Sequence, residues 1–103
     1  MNDQLRNEQT EYLFRAILSL DNLDECYRFF DDLCTTSEIQ EMSRRITAAR
    51  MLSENYIYTE IAEQTGLSTA TISRVNRCLK YGSDGYSRVL ARLAEEDAAK
   101  EDK

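Results

Sequence analysis

The chain has 103 residues, enough for one domain with a modest core, and its 19 acidic and 13 basic residues give a formal charge of −6. Histidine is absent, the three cysteines (Cys26, Cys34, Cys78) form no C-x-x-C pair, and no carboxylate pair stands out, so neither enzyme chemistry nor a metal, cofactor or disulfide framework is expected. No stretch reaches the ~18 apolar residues that span a bilayer, and Met1 is followed by Asn2, Asp3 and Gln4, so a cytoplasmic protein without a membrane partner is expected.

Proline is absent and the three glycines are Gly66, Gly82 and Gly85, which predicts an all-α chain of about six helices joined by short connections. From Glu11 to Leu20 the apolar residues Leu13, Ile17 and Leu20 form one stripe, with Phe14 and Leu18 beside it. Asp21 or Asn22 can cap a second helix, in which Leu23, Cys26, Tyr27, Phe30 and Leu33 step by three and four. Thr35 and Glu38 have the form of a capping box for a third, with Ile39, Met42, Ile46 and Ala49 on one face and Arg44, Arg45 and Arg50 on the other. Beyond Gly82, Ser83 or Asp84 can cap a last helix carrying Tyr86, Val89, Leu90 and Leu93, with a frayed tail over 95–103. The three cysteines are expected in the core, reduced.

Residues 58–80 carry the functional signal. Ile61 and Ala62 give the inner face of a short helix, and Gly66 follows four residues after Ala62, where a tight turn needs a residue free to take positive φ. Leu67 plugs the angle, Ser68 caps the next helix, and Ile72, Val75 and Leu79 face inward. This spacing is that of a DNA-reading helix-turn-helix. The second helix leaves Thr69, Ser73, Asn76, Arg77 and Lys80 outside, with Ser68, Ala70 and Arg74 completing the expected contact set. Small residues near its start suit a major groove, and the bases beyond suit phosphates or guanine edges. The net charge argues against a nucleic-acid partner, but its distribution reverses that. Residues 1–40 hold nine acids and three bases, residues 41–80 hold four acids and six bases, and no acid lies between Glu63 and Asp84.

The run STATISRVNRCLKYGSDGY, residues 68–86, closely resembles the YerC/YecD family of tryptophan-repressor-like bacterial proteins. More distantly, Gly66 with Ala70, Thr71, Ile72, Ser73, Arg74, Leu79 and Lys80 is similar to the tryptophan repressor itself. The resemblance implies a single helical domain over 1–103 that forms an intertwined homodimer, each subunit presenting one reading head to double-stranded DNA. It also places Arg44 and Arg74 where the repressor's two arginines flank its corepressor. Val75, however, stands where the repressor has glycine, which argues against tryptophan and leaves any small-molecule effector unidentified. The sequence therefore predicts a sequence-specific, dimeric transcriptional regulator. The competing class is a helical protein-interaction module without DNA readout, which the net acidity would permit.

Overall fold

A computed structural model describes residues 3–101, and every regular element among them is helical. After a 3-10 turn, Asp3–Leu5, come α1 (Glu8–Leu18), α2 (Leu23–Leu33), α3 (Thr36–Ser53), α4 (Tyr58–Thr65), α5 (Thr69–Tyr81) and α6 (Gly85–Glu101). The chain divides into two compact units, Met1–Gln40 and Glu41–Lys103, with the division inside α3. No helix among the described residues is long and apolar enough to cross a membrane.

The first unit is well capped and poorly buried. α1 begins three residues before the expected Glu11 because the Asn7 side chain accepts from the Thr10 amide at 2.8 Å. At α2 the choice between Asp21 and Asn22 falls on Asn22, which accepts from the Glu25 amide at 2.9 Å, while Glu25 reaches back to the Asp21 amide at 2.9 Å. The Thr35–Glu38 box forms as expected, with the Thr35 amide donating to Glu38 at 2.8 Å and the Glu38 amide to Thr35 Oγ1 at 3.1 Å. Hydrogen bonds from the Thr35 backbone and then its side chain hold the Glu38 carboxyl below the usual carboxylate range. Yet no residue of α1 or α2 is buried, and Tyr12, Leu18, Leu23 and Tyr27 are each more than 70% exposed. Helices of 11 residues are marginal without tertiary packing, so this unit lacks the burial that would hold it.

The second unit holds the core. Ala48, Ala49 and Met51 of α3 pack with Ile61 of α4, Leu67 of the turn, and Ile72 and Val75 of α5, and partly buried Leu52, Tyr58, Ala62, Tyr86 and Leu90 surround them. Ile61 and Ile72 have no exposed surface, and such side chains contribute about 1.5–3 kcal/mol each by leaving water. On α3 the buried face differs from the expected one: Met42 is 41% exposed and Ile46 half-buried, while Ala48 and Met51 go inside. Asn55, at φ 69°, ends this helix in the left-handed region, and the Tyr56 amide returns to the Met51 carbonyl at 3.1 Å. The expected α6 stripe splits, since Tyr86 and Leu90 pack on the core while Val89 and Leu93 stay exposed. α6 continues through Glu101. The three cysteines are free, but none is in the core: Cys26 and Cys34 are half-buried, and Cys78 is exposed because it lies outside the stripe of Ile72, Val75 and Leu79.

Candidate nucleic-acid interface

The expected helix-turn-helix is present as α4, residues 66–68 and α5. Glu60 accepts from the Ile57 amide at 3.5 Å at the start of α4, and Gly66 ends that helix at φ 75°, ψ 5°, its amide donating to the Ala62 carbonyl at 2.9 Å. Thr65, which the sequence reading passed over, ties the turn together. Its buried hydroxyl donates to the Ile61 carbonyl at 2.7 Å and accepts from the Leu67 amide at 3.2 Å. A threonine placed directly before the turn glycine is the sequence signal for it. Leu67 is then carried into the core, and Ser68 caps α5 by accepting from the Thr71 amide at 3.1 Å.

With Ile72 and Val75 locked inside, the opposite side of α5 faces solvent. Ser68, Thr69, Ala70, Ser73, Arg74, Arg77 and Lys80 are all exposed, whereas Asn76, next to the buried Val75 in sequence, is half-buried. The electrostatics of this face are one-sided. The ion pairs found among the described residues join Arg28 to Asp24, Arg50 to Glu54, Arg88 to Asp84 and Lys100 to Glu96, and none takes a cation from α5. Arg74, Arg77 and Lys80 thus project from a 20-residue stretch, 64–83, that contains no acid. Unneutralised cations, small hydroxyl side chains and the N-terminal amides of a helix, all on this helix, are the groups by which proteins hold phosphates.

Arg44 is exposed on α3 and lines a surface pocket of about 360 Å³ with Ser43, Thr47, Gln64, Thr65 and Gly66. Arg74 is not among the lining residues, so the expected arginine pair is not brought together around this pocket. Neither arginine meets a carboxylate among the described residues. Val75 is 4% exposed and belongs to the core.

Comparison with known proteins agrees with this geometry. Residues 8–94 match the family model of the Trp repressor protein. YerC of Bacillus subtilis (strain 168), itself named an uncharacterized protein, is 56% identical over 93 residues, covering 90% of this chain and 89% of YerC. The crystal structure of a TrpR-like protein from Eubacterium eligens ATCC 27750 superimposes with a TM-score of 0.87 at 57% identity, covering 90% of this chain and 96% of that one. A candidate Trp repressor from Staphylococcus aureus gives a TM-score of 0.86 at 48% identity, covering 91% and 95% of the two chains. The chain belongs to the Trp repressor family.

Proposed function

We propose that this protein is a cytoplasmic, sequence-specific double-stranded DNA-binding regulator, with the whole chain serving as one half of a homodimer and α5 entering the major groove. The observation that carries the reading is the exposed, acid-free face of α5, on which Arg74, Arg77 and Lys80 have no ion-pair partner among the described residues. The cations that do form ion pairs, Arg28, Arg50, Arg88 and Lys100, each have a carboxylate four residues away on the same helix or at its cap, and the acid-free stretch offers Arg74 and Arg77 none. The names of the two structural relatives, TrpR-like and candidate Trp repressor, support the same reading. Two heads related by a two-fold axis would sit about 34 Å apart and favour a pseudo-palindromic site. The mechanism is occupancy of the site, and no bond is made or broken.

The test is retention on duplex DNA across a salt series, followed by selection of bound sites from random duplexes. Binding whose log affinity falls linearly with log salt supports the reading. Salt-insensitive retention, or none at low salt, would leave a protein-interaction module in its place. Tryptophan is not the effector in this reading, because Val75 fills core space where the repressor has glycine and the Arg44 pocket does not include Arg74. Calorimetry with free tryptophan should therefore return no saturable heat.

A further inference from the structure

The contact face of α5 runs one residue farther than those assigned to it, to the last residue of the helix. Ala70, Arg74, Arg77 and Tyr81 follow at steps of four, three and four residues, the spacing of one helical stripe. Tyr81 is the last residue of α5, and at 84% it is the most exposed large hydrophobic side chain among the described residues. Gly82 fixes that end: its amide donates to the Cys78 carbonyl at 2.9 Å, and a Cβ there would run into the same carbonyl oxygen. The helix therefore stops just beyond Tyr81. The stretch 64–83 holds no acid, and Asp84, the first one beyond, accepts from Arg88 Nε at 3.0 Å. A phenol is apolar in its ring and a hydrogen-bond donor at its tip, which matches a sugar edge and the phosphate next to it.

We infer that Tyr81 is a further DNA-contact residue, its ring covering a sugar where α5 leaves the groove and its hydroxyl donating to a phosphate oxygen. This rests on the DNA-binding reading above. It differs in kind from the contacts of Arg77 and Lys80, because a neutral phenol displaces no counterion. Its contribution should therefore survive at salt concentrations that screen the cations.

The experiment measures binding of the full chain to a fluorescent duplex over a salt series for the parent, Tyr81→Phe and Tyr81→Ala, with scattering mass and melting temperature taken on each. Tyr81→Ala should weaken binding by more than about tenfold per subunit, since it loses both the hydrogen bond to a charged acceptor and the ring's cover of the sugar, with an unchanged salt slope. Tyr81→Phe should fall between. The chain has no tryptophan, so the indole of a Tyr81→Trp variant is a unique emitter, and duplex should shield it from acrylamide. Tyr81→Ala binding like the parent, an indole equally quenched with and without duplex, or a changed mass or melting temperature that places Tyr81 in a subunit contact would each overturn the inference. A parent that binds no duplex at low salt removes the DNA-binding reading itself, before any Tyr81 variant is compared.

Discussion

Thr65 and Gly66 divide the work of the turn between a hydrogen bond and a dihedral angle. Gly66 has open space around the position of an added Cβ, so a side chain there meets no neighbour and the cost lies in its φ of 75° alone. Gly66→Val should therefore destabilise by about 1–3 kcal/mol, and Gly66→Asn by less, because asparagine tolerates the left-handed region. Thermal melting separates them. Equal melting temperatures for parent and Gly66→Val would show that the turn does not need this conformation. Thr65 acts through its hydroxyl, which is the acceptor for the buried Leu67 amide. Thr65→Val keeps the shape and leaves that amide unpaired, at about 1–3 kcal/mol, whereas Thr65→Ser should melt close to the parent. If Ser and Val variants melted together, packing rather than the hydrogen bond would be the role of Thr65.

At the scale of the element, the proposed DNA-binding role predicts that position along α5 separates residues that read from residues that hold. Thr69 and Ser73 lie one turn apart near the N-terminal end, where a recognition helix meets base edges, so alanine at either should alter preference at particular base pairs by roughly 1–3 kcal/mol. Arg77 and Lys80 lie toward the other end, and replacing either by alanine should weaken all duplexes alike and flatten the salt plot by about 0.9 per lost phosphate contact. The crossed result, with Arg77→Ala changing base preference and Thr69→Ala only overall affinity, would mean that the helix docks the other way round. Much of this element was legible in advance. Ser68, Gly66, Ile72 and Val75 each have a local reason to be where they are, in a cap, a dihedral angle or a periodicity, and local reasons can be read from sequence. What escaped depended on neighbours. Asn76 borders the inner stripe, so its exposure is decided by what packs beside it, and Ala48 and Met51 became core because α3 met helices whose approach no local pattern specifies. Asn7 was missed for a different reason: the residues after it are polar and carry no apolar rhythm to mark a helix start.

For the whole molecule, the contrast between its two units is the observation to account for. The second unit buries Ile61 and Ile72 completely, while no residue of α1 or α2 is fully buried and the two helices display Phe14, Leu18, Leu23, Tyr27 and Leu33, each at least half exposed. Fully burying one such side chain yields about 1.5–3 kcal/mol, so five of them left half or more in water forfeit an amount comparable to the net stability of a small domain. A second copy of the chain is the occupant that the family resemblance implies, and the exposed residues give the means to test it. On a lone chain, Leu18 at 83% and Tyr27 at 73% exposure should accept glutamine without effect, since the side chain stays in water and glutamine favours helix. In a dimer that covers them, either substitution puts an amide into apolar surroundings and removes packing, at about 2–5 kcal/mol per subunit. Parent protein should scatter as twice 12.0 kDa and melt at a temperature that rises with concentration, because dissociation and unfolding are then one equilibrium. Leu18→Gln and Tyr27→Gln should lower that temperature and shift the mass toward one chain. A parent of single-chain mass, or two variants that melt and scatter as the parent does, would leave α1 and α2 without the partner that the dimeric regulator requires.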